Sequence, residues 1–280
     1  MNFWEFLKIV FLGLTEGVTE FLPISSTGHL LIFEQLLKPD CLQDEAFSEM
    51  FTVVIQLGAV FAVMLIYFRQ LWPIGITKQH KIVIQGPKMY LWMKIGLACL
   101  PSAIAGLLFD NLFDRLFHGR TSVITVMITL ILYGIVFLFL EKFTSQYPAR
   151  FTTLGSIPLK LAVYIGCFQI LAIIPGTSRS GITIIGAMLL GASRGVATEF
   201  TFYLEIPTLL GAAFLKLAKY NFDFDGMQYA ILLSAMLVAF LVAFATVTWM
   251  IDYVKKHDFK VFGWYRIALG LILFVVLLIT

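Results

Sequence analysis

Residues 16–29 read EGVTEFLPISSTGH, which sets carboxylates, hydroxyls, a glycine and a histidine side by side between apolar flanks. The flanks, 3–14 and 30–37, are each too short to cross a bilayer, which takes about 20 helical residues. With polar residues at their join, they read as a hairpin that dips into a membrane and returns. Ionisable groups at that depth are costly and mark a functional site. A second knot of the same chemistry plus an arginine, PGTSRSG at 175–181, lies between two more short apolar segments, 161–174 and 182–192. A second hairpin is the reading there, with separate crossings of a thin region as the alternative.

The rest of the chain agrees with a membrane setting. Of its 280 residues, 60% are hydrophobic and only 13% charged, against roughly 25% charged in soluble domains. The apolar runs lack the alternation of barrel strands, so helices are the expected spanning element and the fold class is an all-α integral membrane protein. The first residues carry Glu5 and Glu16 and no basic leader, and are expected to be retained. Cys41, Cys99 and Cys167 are too few and scattered for a disulfide framework or metal cluster and read as packing residues.

In chain order, spans are predicted over 51–68, 95–109 with a kink at Pro101, 121–140, 200–218, 228–250 and 264–279. Residues 39–50 read as a surface loop or interfacial helix, 69–94 as a basic loop, and 141–160 as a polar linker. Pro23 falls on Pro175 with an offset of 152, and Glu49 on Glu199 with an offset of 150. One membrane domain, 1–280, is thus expected to be a duplication: a first repeat over 1–140 and a second over 161–280, each a hairpin plus three spans. An odd number of spans turns the second copy over, an inverted-topology repeat whose site lies where the copies meet. Placing 69–94, 141–160, 251–263 and Arg194 on one side collects 12 Lys and Arg against 6 opposite. The richer side is expected to be cytoplasmic, and the two hairpin tips then converge from opposite faces.

Glu16 and Glu20, four apart, share one helix face. Two carboxylates held together with little water repel, so a proton or a cation must sit between them. Oxygen ligands of this kind suit Mg²⁺ or Ca²⁺, and Glu16 and Glu20 are the candidate metal ligands. The plainer alternative leaves both facing water at an interface. Pro23 breaks the helix, and Ser25, Ser26, Thr27 and Gly28 supply hydroxyls and backbone donors able to cradle a phosphate at a helix start. His29, three residues after Ser26, is within reach to take or give a proton. Arg179 matches phosphate oxygens with its fork of donors, Thr177, Ser178 and Ser180 add hydroxyls, and Gly176 and Gly181 permit close approach. A salt bridge from Arg179 to one of the glutamates is the structural alternative. The sharper reading is phosphoryl transfer, with Ser26 or a water as attacking group.

EGVTEFLPISSTGH and PGTSRSG resemble the two signature motifs of the undecaprenyl-diphosphate phosphatases, the bacitracin-resistance membrane family. The resemblance spans the whole chain, including FTVVIQLGAVFAV at 51–63 and ATEFTFYLEIP at 197–207. It implies an enzyme that removes the terminal phosphate of undecaprenyl diphosphate and so recycles the carrier lipid of wall polymers. The implied location is a bacterial inner or plasma membrane, with the site open to the outer face. The resemblance also implies catalytic roles for Glu20, Ser26, His29 and Arg179. Glu16, Ser25, Thr27, Thr177 and Ser178 would line the site, and Mg²⁺ or Ca²⁺ would assist. Expected partners are the bilayer and the lipid diphosphate; a homodimer is compatible with the sequence and nucleic acid is not expected. The alternative function is a secondary transporter or lipid flippase, since inverted repeats with broken helices are a transporter design. Gln56 and Glu205 lie in or at the ends of spans and are candidates to face the site, with helix packing as the alternative. Glu199 is read as interfacial, and His80, His118 and His257 as solvated.

Overall fold

A computed structural model of the chain describes residues 3–76, 82–116, 120–218 and 224–279. Lys78, His80, Lys81, His118 and Lys219 lie outside the described residues. The first hairpin is α1 (Phe3–Thr19) and α2 (Ser26–Leu37), joined through the knot. Next come α3 (Glu45–Ile66), the short α4 (Phe68–Leu71), α5 (Gly86–Leu116) and α6 (Arg120–Thr144). The second hairpin is α7 (Leu159–Gln169), a 3₁₀ turn at Ile170–Ile173 and α8 (Arg179–Leu189). Three long helices follow it: α9 (Arg194–Ala218), α10 (Gly226–Lys256) and α11 (Lys260–Ile279).

Six of these helices, α3, α5, α6, α9, α10 and α11, are long and apolar enough to cross a membrane, and the chain is an all-α integral membrane protein. Five of the six predicted spans fall inside them, and the sixth, 51–68, overruns the end of α3 by two residues. The two segments flanking each knot stay short, as the hairpin reading requires. Large side chains such as Leu107, Phe139, Leu237 and Leu278 are exposed on the outer faces of the long helices, a surface that only hydrocarbon would cover without cost.

One local expectation changes. The basic loop is not wholly loop: Ile74–Ile76 pairs antiparallel with Ile82–Ile84, and α5 begins at Gly86, so Lys88 and Lys94 are helical. Pro101 lies within α5. The polar stretch 141–160 is anchored at several points. Glu141 is buried and takes a forked contact from Arg194, Nε at 3.0 Å and Nη2 at 2.5 Å, together with the Phe259 amide at 2.8 Å. Farther along it, the buried Lys94 ammonium donates to the Leu154 and Gly155 carbonyls at 3.1 Å each, while Phe151 bridges to Ala192.

Small residues bring the helices close, as interfaces in lipid favour. Gly13 and Gly17 of α1 lie on the Ala235 and Ala239 carbonyls of α10; a Cβ on either glycine would stand 2.7 Å from that oxygen. Ala235, Ala239 and Ala243 make a fully buried stripe at four-residue spacing. That close seam clamps α1, and therefore the first knot, against the long helices.

Candidate active site

Both knots fold into the same turn. Ser25 takes φ 74° and ψ 94° and its hydroxyl accepts from the Gly28 amide at 3.2 Å, capping α2. Ser178 takes φ 71° and ψ 118° and accepts from the Gly181 amide at 3.1 Å, capping α8. Non-glycine residues rarely adopt positive φ, and such strain persists only where the surroundings enforce it. The geometric offset is therefore 153, one more than the proline alignment, because the second knot carries one extra residue between its proline and its cap. In that register Ser26 and Arg179 are equivalent, each the first residue of its helix. The amides of Ser26, Thr27, Arg179 and Ser180 make no hydrogen bond to protein among the described residues, as first-turn donors of helices commonly do not.

The knots are pinned together by groups with no freedom left for a ligand. The Ser180 hydroxyl lies 3.0 Å from the Glu20 carbonyl and 3.1 Å from that of Leu22. Thr129 of α6 donates to the Pro175 carbonyl at 2.8 Å. Gly176, at φ 83°, packs so closely that a Cβ would overlap Thr129 Oγ1 and stand 2.7 Å from Val126 Cα. Arg266 of α11 is fully buried, and its hydrogen bonds among the described residues go to carbonyl oxygens: Pro23 at 3.2 Å from the first knot, Gly176 at 2.8 Å and Thr177 at 3.0 Å from the second, with Thr129 at 3.5 Å; its guanidinium also lies 5.7 Å from the centre of the Tyr133 ring. The Ser180 hydroxyl and the Gly176 carbonyl, on residues expected to meet the substrate, are engaged with the scaffold, while the Ser180 amide is left open. Gly28 likewise packs on Val126, where a Cβ would sit at 3.2 Å.

At the centre, one carboxylate joins both knots. Glu20 Oε2 accepts from Ser26 Oγ at 2.5 Å, and its Oε1 lies 3.4 Å from Arg179 Nη2. The Glu20 side chain is 3% exposed while that of Arg179 is 24% exposed, so the guanidinium retains open donors. The salt bridge that stood as the structural alternative for Arg179 is present, and its other donors make no hydrogen bond among the described residues. His29 makes no hydrogen bond with Ser26 among the described residues. Its Nδ1 lies 2.7 Å from the Ser25 carbonyl and its Nε2 2.7 Å from the Tyr265 hydroxyl.

Three carboxylates share this interior. Glu16 and Glu205 are buried, and neither makes a hydrogen bond through either oxygen among the described residues. The charges of Glu16, Glu20 and Glu205 act on one another and on Arg179. Glu205 of α9 thus lies within charge range of Glu20 and Arg179, whereas Gln56 of α3 is half-buried and makes no hydrogen bond with these groups among the described residues. Thr177 is buried with a free hydroxyl, and Thr27 is exposed. No three His, Cys, Asp or Glu side chains form a metal cage among the described residues. The orphaned oxygens of Glu16 beside Glu20 nevertheless have the hard-oxygen chemistry that Mg²⁺ or Ca²⁺ accepts, with remaining ligands drawn from water or substrate phosphate. Tyr265, Arg266 and Glu205 complete the constellation from helices remote in sequence.

A hydroxyl resting on a buried carboxylate, an arginine with open donors and two helix starts aimed together are the parts of a phosphoryl-transfer site within a polytopic membrane protein. The family model described as "Bacitracin resistance protein BacA" matches residues 9–272, and the chain belongs to that family. Among curated relatives, the undecaprenyl-diphosphatase of Enterococcus faecalis is 48% identical over 280 residues, 100% of this chain and 99% of the relative. The undecaprenyl-diphosphatase of Lachnoclostridium phytofermentans is 49% identical over 272 residues, 97% of each chain. That of Acetivibrio thermocellus is 46% identical over 268 residues, 96% of each chain.

Proposed function

We propose that the protein hydrolyses undecaprenyl diphosphate to undecaprenyl phosphate and inorganic phosphate, returning the carrier lipid to wall-polymer synthesis. The Glu20 carboxylate shared by Ser26 and Arg179 is the observation that carries this reading. Ser26 Oγ attacks the terminal phosphorus as Glu20 takes its proton, the P–O bond to the bridging oxygen breaks, and undecaprenyl phosphate departs. Water then cleaves the Ser26 phosphoester, with Glu20 returning a proton to the serine. Arg179 and the open amides of Ser26, Thr27, Arg179 and Ser180 hold the phosphoryl oxygens, so catalysis is chiefly positioning and charge stabilisation.

A divalent cation belongs to the same proposal. Glu16 and Glu20 would hold it, and it would supply neutralisation of the diphosphate's charge. The halves 1–140 and 161–280 are proposed to be inverted repeats joined through 141–160, a reading supported by the repeated serine-capped turn and by the recurrence of hairpin plus three long helices. The positive-inside bias supports an orientation with 69–94, 141–160 and 251–263 toward the cytoplasm, and membership of the family supports an inner or plasma membrane with the site opening to the outer face.

The test is phosphate release from undecaprenyl diphosphate by purified protein in detergent, with Mg²⁺ or with EDTA, while the lipid product is identified. The expected result is equimolar phosphate and undecaprenyl phosphate, suppressed by EDTA. Lipid movement between leaflets in vesicles without phosphate release would replace this reading with the transporter.

A further inference from the structure

The phosphatase reading leaves unexplained why His29, three residues from Ser26, makes no hydrogen bond with it. A carbonyl oxygen only accepts, so the proton at the Ser25 carbonyl belongs to His29 Nδ1. In the neutral ring Nε2 is then an acceptor and takes the Tyr265 hydroxyl proton. Neither ring nitrogen carries a carboxylate partner, and the buried guanidinium of Arg266 is the next residue after Tyr265, so a second cation at His29 would be poorly accommodated. The histidine is occupied at both ends.

What it holds is the strained corner of the first knot. Ser25 sits at φ 74°, and its carbonyl receives both the His29 amide at 3.3 Å and the His29 ring at 2.7 Å. Two residues earlier, the Pro23 carbonyl is held by Arg266. Neighbouring residues of α11 thus brace this turn on either side. The second knot supplies an internal comparison: Ser178 has the same φ, yet its carbonyl receives only the Ile182 amide, since isoleucine stands where the first knot has His29. The additional brace is confined to the knot that carries Ser26.

We infer that Tyr265 is a positioning residue of the active site. The Ser25 carbonyl sets the His29 tautomer; the Tyr265 hydroxyl, donating to Nε2, holds the ring against that carbonyl and so sets where Ser26 Oγ meets Glu20. The Tyr265 residue itself is 45% exposed, so its hydroxyl, not ring burial, is what ties it inward. Misplacing an attacking group by about 1 Å can cost on the order of a hundredfold in rate. The inference rests on Ser26 and Glu20 being the reacting pair.

The test uses the full-length purified protein, comparing wild type, Tyr265→Phe, His29→Asn, the double variant and Ser26→Ala in undecaprenyl diphosphate hydrolysis. Nitrogen-15 spectra of labelled histidine accompany the kinetics. Tyr265→Phe is expected to lower kcat about tenfold to a hundredfold with KM within about twofold, and to shift the His29 Nε2 signal as that nitrogen loses its donor. Asparagine at 29 retains a donor for the Ser25 carbonyl but no partner for Tyr265, so Tyr265→Phe should cause no further loss in that background. A wild-type kcat and unchanged His29 signals in Tyr265→Phe would overturn the inference while Ser26→Ala remains inactive. An equal loss from Tyr265→Phe in both backgrounds would also overturn it, and would do so through the kinetics alone. Full activity in Ser26→Ala would instead remove the reacting pair on which the inference stands.

Discussion

Glu20 has two oxygens and uses each on a different half of the chain, Ser26 on one and Arg179 on the other. Replacing it with Gln should lower kcat for phosphate release by roughly a thousandfold or more, because the amide cannot take the serine proton. Adding Ser26→Ala to Glu20→Gln should cost little beyond either change alone, since groups acting as one unit lose activity together. Arg266 predicts a different kind of loss. Arg266→Met leaves the Pro23, Gly176 and Thr177 carbonyls without their buried donor, at about 1–3 kcal/mol for each group left unsatisfied, offset in part by no longer burying the charge. A lower thermal midpoint in detergent, together with lost activity, is the expected outcome. At this scale the sequence showed the knots because carboxylates, hydroxyls and an arginine stand out in apolar surroundings. Glu205 stood out as an ionisable residue in a span, but which way it faces depends on the rotation of α9; Tyr265 was hidden because the rotation of α11 is encoded by no local pattern. Arg266 carried a usable signal, an ionisable residue inside a span, and that signal is the one by which it should be sought.

The helices themselves were legible from length and hydropathy, and the hairpins from polar residues at apolar joins. The strand pair at Ile74–Ile76 and Ile82–Ile84 was not, since three-residue strands offer too few positions for alternation to register. Nor did sequence reveal how tightly the elements approach. Gly176→Ala would force a left-handed conformation costing about 1–2 kcal/mol and press a Cβ into Thr129 of α6. Displacement of the second knot, with phosphate release reduced at least tenfold at unchanged expression, is the expected result. Gly13→Val should act without touching the site. It crowds the Ala235 carbonyl across the α1–α10 seam, and the readout is a lowered unfolding temperature in detergent.

For the whole molecule, charge asymmetry makes a topological prediction. Single cysteines placed at Lys38 and at Lys255, in a background lacking Cys41, Cys99 and Cys167, should differ in cells. A membrane-impermeant maleimide is expected to label position 38 directly and position 255 only after permeabilisation. The same labelling at both positions without permeabilisation would contradict the proposed orientation. The central claim is that two loops about 150 residues apart act on one phosphate. Its most direct test is phosphate release from undecaprenyl diphosphate by wild type, Ser26→Ala, Arg179→Ala and the double variant, each purified and verified as folded. Loss of roughly a thousandfold or more in each single variant, with the double variant no lower, is the predicted result. Turnover near wild type in either single variant would contradict it.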